Sequence, residues 1–247
     1  MDLVNDMIVF AFVAIRAFVG IILIVRANKT KLTNLYALAL MLFCESIGYV
    51  FYTSIFNNLF IFYIFVSVMW FPFTAFVQRT FYQDKKSPFK IILVVTTILS
   101  VLTCIIIGIY QFGPVQDLNT LFLARITFSL AMGVTASWML YASITSYIEL
   151  KSAKGVEPWI YTRYLLVFLY TFGQIGIGIT WPFFPYDKSI NIPYLIGALC
   201  LVAIVIGQFL AWVMPQGFKR WLNRNYKVVE EEEDLSEEEI MKSFKEG

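Results

Sequence analysis

Seven apolar runs, each long enough to cross a bilayer as a helix, follow one another with short polar breaks. They are Met7–Val25, Asn34–Tyr52, Leu59–Val77, Ile91–Tyr110, Leu121–Ile148, Ile160–Phe183 and Ile192–Met214. In hydrocarbon every backbone N–H and C=O must find its partner within the chain, and a helix achieves this segment by segment. The expectation is an all-α polytopic membrane protein with seven transmembrane helices. With 59% hydrophobic and only 15% charged residues, the balance is far from that of a soluble domain.

The breaks set an expected orientation. Arg26, Lys29 and Lys31 follow the first run, Arg79, Lys85, Lys86 and Lys90 the third, Lys151, Lys154 and Arg163 the fifth, and Lys219, Arg220, Arg224 and Lys227 the seventh. The other breaks hold Lys188 alone. Positive charge is retained on the cytoplasmic side during insertion, so the N-terminus is expected outside and the C-terminus in the cytoplasm. The residues before Met7 carry two acids and no base, which argues against a cleaved signal peptide. Trp181 and Tyr186 are expected as anchors at the outer interface, and Trp159, Tyr161, Trp212 and Trp221 at the inner one. Pro72, inside the third run, removes a backbone donor and predicts a kink.

Three parts follow: a transmembrane domain over 1–214, a basic juxtamembrane segment over 215–229 and an acidic tail over 230–247. In the second, Phe218, Trp221 and Leu222 recur near helical spacing among Lys219, Arg220 and Arg224, the pattern of a short amphipathic helix on anionic headgroups of the inner leaflet. The tail opens with a run of acids from Glu230 to Asp234. Beyond it, Ser236 and Glu239 form a capping box and Leu235 and Ile240 a hydrophobic staple. A short helix there would present Ile240, Met241 and Phe244 on one face, a docking surface for a cytoplasmic protein partner.

Apart from Arg163 near the start of the sixth run, three charged residues lie inside apolar runs: Arg16, Glu45 and Arg125. A lone carboxylate in a span costs several kcal/mol, so an Arg16–Glu45 pair between the first two helices is expected, with Gln174 at similar depth. Arg125 either completes an intramembrane polar cluster with these three or snorkels to the outer interface. Two readings compete, a pair that fixes helix register and a polar cavity open to the outside.

Absent residues narrow the function. Without histidine the chain has no imidazole for haem, for a histidine zinc site or for a Ser-His-Asp triad. No lysine lies in an apolar run for a retinal Schiff base, and Cys44, Cys104 and Cys200 lack metal-ligand spacing. The chain is therefore read as a non-enzyme, with no catalytic residue, no metal, no cofactor and no nucleic-acid partner. The second and sixth runs align loosely, but the first and fifth do not, so no internal repeat is assigned. The seven-helix layout followed by an amphipathic helix resembles that of G-protein-coupled receptors. The third run nevertheless ends VQRTFY, without the acid of an Asp-Arg-Tyr motif, and the seventh lacks Asn-Pro-x-x-Tyr. No family is assigned. The expectation is a receptor or sensor of the plasma membrane, with an outer-half polar site and a partner-binding tail. A small-solute or ion transporter, proton-coupled through Glu45, is the alternative, and a scaffold acting through its tail is the third.

Overall fold

The computed structural model describes residues 2–53, 55–82, 85–114, 116–185, 191–224 and 226, with side chains from Asp6 onward. Helix α1 covers Asp2–Thr30 and α2 Thr33–Tyr52; the third span is divided into α3 (Leu59–Val68) and α4 (Trp70–Val77). Then come α5 (Phe89–Phe112), α6 (Leu118–Ser152), α7 (Pro158–Thr180), α8 (Ile192–Val213) and α9 (Gln216–Asn223). Seven helical stretches are long and apolar enough to cross a membrane, and they coincide with the seven runs of the sequence. The chain is an integral, multi-pass membrane protein.

The third span breaks where its proline dictates. Pro72 has no N–H to give the carbonyl of Val68, four residues back, and its ring crowds that carbonyl. Accordingly α3 ends at Val68, and α4 resumes at Trp70. A π-helical turn, Gln78–Tyr82, closes the span. The long fifth run yields the longest helix, α6, which passes Glu149 as its apolar length requires.

Short connections make successive spans antiparallel. α1, α3, α6 and α8 begin at one end of the bundle, here called the amino face; α9 lies at the other, the carboxy face. Side chains cap three of these starts: Asn58 accepts from Ile61 N–H at 3.0 Å, Asp117 from Thr120 N–H at 3.1 Å and Asn191 from Tyr194 N–H at 2.9 Å. Asp117 lies outside the spans, and the backbone N–H groups of Asn119 and Thr120 hold its carboxyl below the usual carboxylate range. The helices that begin at the carboxy face, α2, α5 and α7, have no side-chain cap.

The spans form a closed ring in chain order. Each packs on its predecessor and successor, and α8 returns to α1 across the most sparsely packed seam. The third span is the most interior, with 61% of its apolar stretch buried against 28% for α1 and for α5. Phe62, Tyr63, Trp70, Phe73 and Phe76 form its buried face. At the carboxy face the filling is tight: Trp212 meets Phe76 edge to face at 5.2 Å, and Asn34 donates to Thr80 at 3.0 Å.

Two expectations change here. Trp181, Trp159 and Trp212 are not lipid-facing anchors, since each is at most 6% exposed. Their large rings fill the bundle, and Trp181 satisfies its indole N–H inside by donating to the Tyr63 hydroxyl at 3.0 Å. Tyr161 is half-buried and Trp221 exposed, while Tyr186 lies outside the described residues. The juxtamembrane segment is helical over Gln216–Asn223, but its apolar face turns toward protein. Phe218 and Leu222 pack with Trp159, Ile160, Leu150 and Met214 at the α6–α7 corner. The Lys219 ammonium lies over the Trp159 ring at 3.5 Å, and Asn223 donates to Glu157. Arg220, Trp221 and Arg224 remain on the open side.

Candidate functional site

The expected ion pair is present. Arg16, at 2% exposure, is bonded through its guanidinium to the Glu45 carboxylate, itself 7% exposed. α1 and α2 are neighbours joined by a two-residue connection, so the helices hold the two groups in register. The face of the guanidinium rests on the Phe12 ring, 4.3 Å from its centroid. Such stacking suits arginine, whose planar ion is weakly hydrated and attracted to the ring face.

Among the described residues, Arg125 makes its contacts elsewhere, at the amino-face end of α7. It is 6% exposed and points into the bundle, donating to the backbone carbonyl of Phe184. Its guanidinium lies 6.0 Å from the Trp181 ring. The described contacts of Arg125 are thus separate from those of the Arg16–Glu45 pair. The reason is the path of the chain after α7, where the turn Trp181–Phe183 carries the Phe184 carbonyl to α6. Gln174 is buried on α7, one turn from Tyr170, and its Oε1 has no hydrogen-bond partner. Gln208 on α8, 3% exposed, has an unpartnered Nε2 and was not singled out by its sequence context.

At the amino face the bundle holds a cavity of about 330 Å³. α1 lines it with Ile8 and Val9, α2 with Tyr49 and Tyr52, α7 and its turn with Ile177 and Trp181. Phe184 and Pro185 continue the wall, and α8 closes it from Tyr194 to Leu201. Tyr52, Trp181, Phe184 and Tyr194 make successive ring contacts of 5.8, 5.1 and 5.6 Å. Gly197 is required here: a Cβ would lie 2.3 Å from the Phe184 ring, so a side chain would drive that ring off its place.

The cavity and the ion pair share residues. Tyr49 lines the cavity and meets Phe12 edge to face at 4.8 Å; Phe12 carries Arg16. At about 1.5 Å per helical residue, Glu45 lies roughly 6 Å below Tyr49, and Arg16 roughly 10 Å below Val9. An object in the cavity thus touches a ring that touches the ring supporting the buried charge. The signal legible in the chain was Tyr49 and Tyr52, one turn apart on the face that also presents Glu45. Trp181 and Phe184 gave none, because a loop brings them in.

Ile240, Met241 and Phe244 lie outside the described residues, as does the whole of 227–247. Comparison with protein-family models, with curated proteins and with solved structures finds no match to this chain.

Proposed function

We propose that the chain is a seven-helix receptor or sensor whose ligand site is the aromatic cavity at the amino face. The observation that carries the reading is the unbroken contact from the cavity through Tyr49 and Phe12 to the Arg16–Glu45 pair. A ligand shifts an equilibrium by as much as its affinity differs between two states, and an ion pair stacked on a displaceable ring is a bistable element of this kind. Beneath the cavity the interior is filled by Leu23, Leu38, Met41, Phe73 and Phe76, each at most 1% exposed. A site closed below suits recognition better than passage.

The test is reconstitution in sealed proteoliposomes with a screen for compounds that raise thermal stability. A stabilising compound that does not cross the membrane supports the receptor reading. Crossing that requires the protein and is lost in Glu45→Gln supports the transporter, whose specific observation is the buried carboxylate at mid-span. The proposed orientation, amino face outside, is tested by labelling single cysteines in an otherwise cysteine-free chain. Positions 56–58 and 116–119 should react from outside in sealed cells, and positions 84–87 should not.

The tail belongs to the same proposal on sequence grounds. Its acidic spacer and the Ile240, Met241 and Phe244 face would engage a cytoplasmic partner, while Arg220, Trp221 and Arg224 meet the headgroup layer. Ile240→Asp with Phe244→Asp should abolish partner capture and leave insertion unchanged. Loss of every cellular effect with that variant, with none on changing the cavity, would favour the scaffold.

A further inference from the structure

We infer that the cavity takes a compact, uncharged amphiphile dissolved in the bilayer, with an apolar body and a single hydroxyl or carbonyl, admitted between α1 and α8. The inference rests on the cavity being the ligand site.

The charge argument comes from the lining. Among the described residues no charged side chain lines the cavity, although two arginines stand behind its walls. Arg16 is held by Glu45 below it, and Arg125 is turned to the Phe184 carbonyl behind Trp181. A carboxylate or an ammonium placed in the cavity would lose its water and gain no facing counter-charge from the described residues, which is costly beside a mostly apolar lining. The polar groups the lining offers include the phenols of Tyr49 and Tyr52, each of a kind that can donate or accept a hydrogen bond. They fit one hydroxyl or carbonyl. The volume lies at the small end of the range for small-molecule sites.

The entry argument comes from the ring. The α1–α8 seam, between the first and last spans, is the most sparsely packed around the ring, and both helices are peripheral, with 28% and 33% of their apolar stretches buried. The lining residues most open to the surroundings are Ile8 on α1, 48% exposed, and Leu195 on α8, 52% exposed. They lie on the two helices that meet at that seam. A ligand arriving there comes from hydrocarbon.

Trp181 in the wall is a built-in reporter, because bromine quenches indole fluorescence on contact. The full chain is reconstituted in phosphatidylcholine vesicles and titrated with 8-bromooctanol, 8-bromooctanoate and 8-bromooctyltrimethylammonium at equal membrane concentrations. The readout is the quenching present in wild type and missing in Trp181→Phe. The alcohol should saturate at a concentration at least tenfold below either ion. Ala198→Phe and Leu201→Phe, each checked for unchanged thermal unfolding, should remove the saturable component. Leu195→Ala, which trims the seam, should speed its onset severalfold in stopped flow. Saturation by an ion at or below the concentration needed for the alcohol overturns the ligand class and leaves the cavity as the site. An onset unchanged in Leu195→Ala overturns the entry path. If no compound saturates, or if both filling variants quench as wild type does, the cavity is not the ligand site and the receptor reading falls with this one.

Discussion

The two buried arginines stand in the same bundle at similar exposure, 2% for Arg16 and 6% for Arg125, yet they are stabilised in different ways. Arg16 is neutralised by an ion, Glu45, on a neighbouring helix, and stacks on one ring. Among the described residues, the contacts of Arg125 are with the Phe184 carbonyl and the Trp181 ring. The first arrangement is all or none, because losing either partner strands a charge in low dielectric. The second is distributed, so each contact can be lost in turn. A switch is better built on the first and an anchor on the second. The anchor ties α6 to the turn after α7, and the switch ties α1 to α2.

The comparison can be broken by substitution. Glu45→Gln leaves Arg16 buried without its counter-ion and should cost about 3–5 kcal/mol of stability in detergent. A loss below about 1 kcal/mol would mean that water reaches the guanidinium. Arg125→Met keeps volume and removes the charged hydrogen bond, so it should cost about 1.5–3 kcal/mol in the same thermal unfolding measurement. If it matches Glu45→Gln, the distinction between ion and dipole fails. Phe12→Leu removes the face beneath Arg16 and should cost about 1–2 kcal/mol, the desolvated cation–π contribution. Binding at the cavity should change with it, which a purely structural ring would not require. The smallest effect is expected at the α6 cap. Asp117→Ala should speed amide exchange at residues 118–120 while leaving global unfolding in place. The folded carboxyl is held low, so its contribution is present above the usual carboxylate range and lost as pH falls through it. Wild type should therefore exchange like the variant in acid.

The Arg16–Glu45 pair was legible in the sequence because ionisable residues are rare in apolar runs and adjacent helices with a short connection can share a depth. The break before Pro72 was legible because its cause is local. Arg125 was not, since its acceptor is a backbone carbonyl, and every residue has one. Trp181 misled for a related reason: a tryptophan at a span end reads as an interface anchor unless the Tyr63 hydroxyl beside it is known. The amphipathic pattern of α9 was visible, but what its apolar face meets depends on where α7 begins, and Trp159 waits there. The cavity is a product of ring closure between α1 and α8, which no single segment encodes.

The most direct test is a pair of double-mutant cycles read by thermal unfolding in the same detergent, combining Glu45→Gln first with Arg16→Met and then with Arg125→Met. The account predicts that Glu45 and Arg16 are coupled by more than about 2 kcal/mol, while Glu45 and Arg125 add to within about 0.5 kcal/mol. Coupling of Glu45 to Arg125 as strong as to Arg16 would contradict it, because the two arginines would then share one carboxylate and form a single site.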